Sequence, residues 1–205
     1  MTNLYVITGG PGTGKTSLIN LLMENNIHVV PEAAARIIEE EKKAKKPEKE
    51  RIVPWNADKR QEFQKKVFEM HSDDLKKISP ETEKSFLDRS YIDNIAYHSY
   101  YGLTAKEEII HAAKSCNYEK VYILDRLPSK FYAKTKIRRE NEEEAKQIHN
   151  KIIETYMKYL PMGKIVMVPA ALKTEITEPN DLTQAIHAVS ERMYFILRDA
   201  KGIKQ

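Results

Sequence analysis

The stretch Gly9-Gly10-Pro11-Gly12-Thr13-Gly14-Lys15-Thr16 fits G-x-x-x-x-G-K-[ST] at every defined position, directly behind the apolar run Leu4-Tyr5-Val6-Ile7. Such a turn works only between a strand and a helix, and the segment from Ser17 to Met23 supplies the helix. Glycines let the backbone curl so that successive N–H groups face phosphate oxygens. Gly10, Pro11, Gly12, Thr13, Gly14 and Ser17 are the expected cradle. Lys15 is placed to reach the β- and γ-phosphates and the Thr16 hydroxyl to ligate Mg²⁺, with the helix dipole adding to the anion site. Strand, loop and helix in order set this apart from a chance Gly-Lys-Thr turn. The expected ligand is a nucleoside triphosphate.

Apolar runs bounded by turn residues predict strands at 4–7, 27–30, 85–87, 121–124 and 165–168. Helical segments are expected at 32–41, 58–77, 91–100, 105–115, 138–159 and about 181–199. Strands rich in Val, Ile and Leu alternating with helices imply a parallel sheet covered on both faces. At 205 residues the expectation is one domain, 1–205, with a lid-like segment near 130–145. The run 39–51, dense in Lys and Glu and broken by Pro47, reads as a solvated helix end leading into a mobile loop.

Composition narrows the classes. A lone cysteine, Cys116, forms no internal disulfide and suits a reducing cytoplasm; it reads as a small, half-buried side chain. No apolar run approaches the ~20 residues of a membrane span. The chain enters strand and loop at once, which argues against a secretory signal. Lys+Arg 34 against Asp+Glu 30 gives +4, with the signs interleaved rather than gathered into a nucleic-acid stripe. The six histidines show no metal-ligand spacing, so no metal beyond Mg²⁺ with the nucleotide is expected.

Four further features narrow the chemistry. Phe86-Leu87-Asp88-Arg89-Ser90 is a strand ending in a carboxylate. There Asp88 can hold Mg²⁺ or orient a hydroxyl, and Arg89 can clamp an acceptor. Asp88 and Ser90 also suit helix capping. In Val29-Val30-Pro31-Glu32-Ala33-Ala34-Ala35-Arg36, Glu32 leaves a strand at the carboxyl edge, where α/β sheets place ligands. It is a candidate general base, with Arg36 one turn on; a first-turn acid favouring the helix dipole is the plainer reading. Lys134 to Asn141 is a basic cluster suited to a lid over the triphosphate, with Arg138 and Arg139 as the candidate cations. Trp55 and Gln64 are candidates for stacking on and reading an acceptor base, whereas Phe63 keeps core spacing with Val67 and Met70. Asp93 is either an acceptor contact or exposed helix surface. Asp125-Arg126 repeats the Asp-Arg pair and competes with Asp88 for Mg²⁺, although the Leu-Pro that follows suggests a turn.

With these residues in view, the chain resembles the P-loop kinase-like ATP-binding domains grouped with the nicotinamide riboside kinase domain and often classed with AAA-type ATPases. GGPGTGKTSLI, VVPEAAARII, FLDRSYIDNIAY, IRRENEEEAKQIH and the late Met167-Val168-Pro169 carry the resemblance across nearly the whole chain. Asp88-Arg89-Ser90 is also similar to the acidic-Arg-Ser motif of deoxynucleoside kinases, which implies that Arg89 meets the acceptor and Asp93 its base. The resemblance implies a three-layer α/β/α fold around a five-stranded parallel sheet ordered 2-3-1-4-5. The expected activity is ATP- and Mg²⁺-dependent phosphoryl transfer to a nucleoside, nucleotide or similar metabolite. Lys15, Glu32, Asp88, Arg89 and Arg138 would be catalytic, Thr16 and Asp88 metal-binding, Arg139 nucleotide-binding, and Arg36, Trp55, Gln64, Arg89 and Asp93 acceptor-binding. The rival expectation is a nucleotide-dependent ATPase or GTPase switch acting through a protein partner. No N/T-K-x-D string supports an ordinary GTPase. Oligomeric state is left open by the sequence.

Overall fold

A computed structural model describes residues 2–127, 140–171 and 182–201. Five parallel strands form one sheet: β1 (Asn3–Thr8), β2 (Val29–Val30), β3 (Lys84–Asp88), β4 (Tyr118–Leu124) and β5 (Ile165–Val168). Their order is β2-β3-β1-β4-β5, as expected. The register pairs Ile7 with Asp88 and with Tyr122, so the carboxyl ends of the central strands emerge side by side. The helices are α1 (Lys15–Glu24), α2 (Ala33–Lys43), α3 (Arg60–Lys76), α4 (Tyr91–Tyr100), α5 (Glu107–Ser115), α6 (Glu142–Tyr159) and α7 (Leu182–Ala200).

The strands alternate their faces as their near-continuous apolar sequences allow. Val6, Leu87, Val121 and Ile123 pack with Ile92, Ile148 and Ile152 on one face. Tyr5, Ile7, Phe86, Tyr122 and Leu124 pack with Leu18, Leu22, Met193 and Ile196 on the other. This is the three-layer α/β/α arrangement. A third cluster, Ile37, Ile38, Ile52, Val53 and Phe63, joins α2 to α3 beside the sheet edge. The aromatic rings of Tyr5, Phe86 and Tyr122 stack across the sheet at 5.2 and 6.4 Å. Tyr122 Oη and Lys120 Nζ, both 2.8 Å from Asp199, tie down the end of α7.

The run 39–51 differs from its expectation at Glu41. That side chain is buried, accepts the Ile52 N–H at 3.0 Å and meets Lys46 and Lys66. The charge run is thus fastened at one interior carboxylate, while Glu39 and Lys43 remain a solvated pair. Cys116 is half-buried. Among the described residues no helix is long and apolar enough to cross a membrane.

Candidate active site

The loop between β1 and α1 is held by contacts from distant helices. Gly14 caps α1 at φ +76, a left-handed conformation that suits glycine, and no side chain caps the helix. With no acidic residue in the first turn either, the first amides of α1 are left for an anion. Thr13 Oγ1 donates to Gly10 O at 3.0 Å, and Gly10 N–H donates to His149 Nδ1 at 3.1 Å. Burial pulls the His149 pKa below its ordinary value, which keeps that nitrogen an acceptor. Leu127 N–H meets Gly12 O at 3.1 Å. Arg192 of α7 donates to Thr13 O at 2.6 Å, Pro169 O at 2.7 Å and Asp125 O at 2.9 Å.

Gly10 has a second requirement. A Cβ there would lie 2.7 Å from His149 Cβ, 2.9 Å from His149 Cα and 3.0 Å from Ala145 O, so α6 itself would have to move. Gly10→Ala is expected to cost about 1–3 kcal/mol in urea unfolding. Gly163→Ala, which meets open space, is the control and should leave the midpoint unchanged.

Past the loop, charges converge at the carboxyl ends of β1, β2 and β3. Lys15 Nζ is bonded to Asp88 Oδ1 and lies 3.0 Å from Glu32 Oε2. Glu32 Oε1 in turn accepts from Arg89 Nε at 2.8 Å. Arg89 adopts φ +74, unusual for a residue with a Cβ, and its N–H donates to Ile7 O at 3.1 Å. That conformation brings its side chain back to Glu32, to Asp93 Oδ1 at 3.1 Å, and over the Tyr97 ring at 5.3 Å.

Asp93 is buried rather than exposed helix surface. It closes a capping box with Ser90 at the start of α4, accepts from Tyr156 Oη at 2.5 Å, and is bonded to Thr8 Oγ1. Burial raises Glu32 toward neutrality, but Lys15 and Arg89 outweigh it and hold the carboxyl down at about 2. Burial, opposed by Lys15 and reinforced by the Glu32 charge, pushes Asp88 upward.

A cavity of about 560 Å³ joins these groups. It is lined by the loop from Gly10 to Ser17, by Glu32, Asp88, Arg89 and Asp93, and by Gln64 of α3. Lys15, Thr16, Ser17, Glu32, Asp88, Arg89, Gln64 and Asp93 therefore share one space. Arg36 and Trp55 do not line it. Arg36 forms a forked ion pair with Asp74 of α3, and Trp55 packs in the α2–α3 cluster beneath Lys42. Asp125 stands outside the cavity as well; its backbone is held by Val168 O and Arg192, and Arg126 faces Glu142. Arg138, Arg139 and the rest of the basic cluster through 139 lie outside the described residues. Sequence reasoning did not single out Arg192 or His149. Each sits at a buried helix position between apolar neighbours, Ala188 and Ile196 in one case, Ala145 and Ile152 in the other.

Among the described residues no three His, Cys, Asp or Glu side chains gather as a metal site. Mg²⁺ bound with a nucleotide needs only one or two protein oxygens beside phosphates and water. Thr16 and Asp88, together on the cavity wall, fit that requirement.

A family model described as an AAA domain matches residues 4–170. The chain belongs to this AAA domain family. No curated protein matches it. Among solved structures, this AAA domain is similar to a NadR protein in complex with NR, at 19% identity and a TM-score of 0.59. That match covers 100% of this chain and 52% of the other, so the chain spans about half the NadR length. It is also similar to thymidylate kinase from Ehrlichia chaffeensis, at 13% identity and a TM-score of 0.61 over 97% and 98% of the two chains. A deoxyadenosine kinase from M. mycoides, with products dCMP and dCDP bound, gives 14% identity and 0.61 over 98% and 100%. At these identities the likeness establishes the fold of the AAA domain as that of P-loop kinases.

Proposed function

We propose that the protein transfers the γ-phosphoryl group of ATP to a hydroxyl of a small acceptor, a nucleoside, nucleotide or similar metabolite. The observation that carries this reading is Glu32, a half-buried carboxylate held between Lys15 of the phosphate loop and Arg89, on the wall of the cavity of about 560 Å³. The similar structures include kinases of nucleosides and nucleotides by their own descriptions, which supports the same class.

ATP would supply the phosphoryl group, and Thr16 and Asp88 would hold Mg²⁺, which would neutralise charge on the transferring phosphates. Gly10 to Ser17 hold the phosphates through backbone amides, and Lys15 neutralises the moving charge. Glu32 takes the proton of the acceptor hydroxyl as its oxygen bonds to phosphorus and the bond to ADP breaks. In the ligand-free site Glu32 is a weak base, because Lys15 and Arg89 hold its pKa down at about 2. Phosphate oxygens compete for Lys15, and once Lys15 turns to them, burial lifts Glu32 toward a useful basicity. Nucleotide binding thereby arms the base. Arg89 keeps Glu32 oriented on the acceptor side, and Arg138 or Arg139 would close over the triphosphate.

The test is ADP release from Mg–ATP against nucleosides, nucleoside monophosphates and nicotinamide riboside, with Lys15→Ala as the blank. One compound should stimulate release strongly, and Glu32→Gln should lower kcat by about 10²–10⁴ with nucleotide affinity nearly unchanged. Tight nucleotide binding that no acceptor stimulates would overturn the reading in favour of a switch.

A further inference from the structure

One face of α6 holds both ends of the cavity from behind. His149 and Tyr156 are seven residues apart, so they leave the helix on the same side, about 10 Å from each other along its axis. Both are buried, and neither lines the cavity. His149 accepts the Gly10 N–H of the phosphate loop. Tyr156 grips the start of α4, where its hydroxyl lies 2.5 Å from Asp93 Oδ2 and 2.7 Å from Ser90 Oγ. Ile148 and Ile152 pack with Ile92 and Ala96 of α4 in the core, which keeps the helix seated.

The protons of the Tyr156 cluster can be ordered. A carboxylate only accepts, so the single Tyr156 proton goes to Asp93. Ser90 Oγ already accepts the Ile92 N–H at 3.1 Å, and its own proton goes to Tyr156 Oη. Asp93 thus accepts from Tyr156 and the Ser90 N–H on Oδ2, and from Arg89 and Thr8 on Oδ1. Those four donors fill the acceptor capacity of a carboxylate. Of the four, Arg89 is the one bonded to Glu32. Arg89 also depends on its neighbours. A φ of +74 persists at a residue with a Cβ where the surroundings over-determine it, and here Asp93 and Glu32 grip the guanidinium from two sides.

We propose that Tyr156 is a positioning residue for phosphoryl transfer: it fixes Arg89 through Asp93, so that α6 sets the distance between the phosphate loop and the Glu32–Arg89 pair. His149 anchors one end of that span and Tyr156 the other. A displacement of about 1 Å between reacting groups can cost about 10² in rate, so a buried hydroxyl that touches no ligand can still govern turnover. The catalytic consequence rests on the phosphotransfer reading, whereas the link from Tyr156 to Arg89 stands apart from it.

The experiment compares the full chain with its Tyr156→Phe and Tyr122→Phe variants. Each variant strips a buried tyrosine of a hydroxyl bonded to an aspartate, but Tyr122 meets Asp199 at the end of α7, and neither of that pair lines the cavity. Side-chain ¹⁵N NMR reads the Arg89 Nε–H, assigned with Arg89→Lys. In Tyr156→Phe its exchange with water should quicken about tenfold or more, the scale of one lost hydrogen bond, and in Tyr122→Phe it should keep the wild-type rate. With a responsive acceptor, Tyr156→Phe should lower kcat by about 10–10² while nucleotide Kd holds, and Tyr122→Phe should leave both unchanged. A merely structural Tyr156 would lower Tm and leave the Arg89 exchange rate and kcat alone, which overturns the proposal. So does an equal effect of the two variants, and faster exchange with kcat unchanged overturns the catalytic role. If Tyr156→Phe does not fold, Asp93→Asn asks the same question, because its amide nitrogen turns a donor toward donors on whichever side it takes; an unchanged Arg89 signal there overturns the link. If no acceptor stimulates ADP release, phosphotransfer fails, and the exchange rates alone still decide whether Tyr156 holds Arg89.

Discussion

Lys15→Met is expected to remove acceptor-dependent ADP release, by at least about 10²–10³, and to steepen the loss of stability with rising pH. The first effect follows from losing the cation that faces the transferring phosphoryl group. The second follows from what Lys15 holds in the ligand-free site, where it is bonded to Asp88 and Glu32 and is only 6% exposed. Breaking a buried ion cluster by removing one partner costs about 3–5 kcal/mol when the remaining charges stay ionised. Carboxylates can instead take up a proton, so the loss varies with pH.

In the wild type, Glu32 is depressed from 4.5 to about 2. Its contribution to stability is therefore complete above pH 4.5 and disappears as the pH falls toward 2. In the variant Asp88, already raised, loses its attractive partner and rises further. A carboxyl raised on folding stabilises least when ionised, so Lys15→Met should lose stability more steeply than the wild type as the pH rises above the ordinary aspartate range. Thermal unfolding of both proteins over that rise reads the difference. Parallel Tm curves would show that Lys15 does not sustain the buried carboxylates.

The parts of this design that read directly from the sequence are local ones. The phosphate loop declares itself because its glycines, lysine and threonine are consecutive and sit between a strand and a helix. Asp88, Arg89 and Glu32 follow because strand ends in a parallel sheet share one edge, and the observed register puts Ile7 beside Asp88. Arg36 shows where that logic stops. One turn of helix places it near Glu32 in sequence terms, yet Asp74 on α3 competes for its guanidinium, and no local pattern announces a partner 38 residues away. Asp93 differs again: its spacing leaves acceptor contact and exposed helix surface both open, and the capping box with Ser90, three residues before it, buries the carboxylate among Arg89, Tyr156 and Thr8 on the cavity wall. The supports of the loop were harder still. His149 and Arg192 act across 139 and 179 residues, and a lone polar residue on an amphipathic helix looks like surface until its register is checked. Arg192 does carry a signal, since it interrupts an i, i+4 series of buried Ala188, Ile196 and Ala200.

Arg192 should accordingly be among the most costly residues to replace. It is 1% exposed, and its guanidinium holds three backbone carbonyls from three separate connections. These are Thr13 in the phosphate loop, Asp125 at the end of β4 and Pro169 at the end of β5. Burial pulls its pKa down to about 10, against the pull of Asp125, so the side chain stays charged through the neutral range. Arg192→Met keeps much of the apolar stem and strips all three donors. Each buried carbonyl left unpaired costs about 1–3 kcal/mol, and partial relaxation of the loops brings the expected total to about 4 kcal/mol. Arg192→Lys preserves the charge but not the planar fork, and should recover less than half of that. Urea unfolding gives these numbers directly. A second readout separates a general packing defect from loss of loop geometry. If Arg192 positions Thr13, saturating Mg–ATP should restore more stability to Arg192→Met than to Gly10→Ala, because phosphates re-gather the loop amides that Arg192 had held. Equal recovery in both, or a midpoint for Arg192→Met at the wild-type value, would mean the three carbonyls find other partners and the loop keeps its shape without α7.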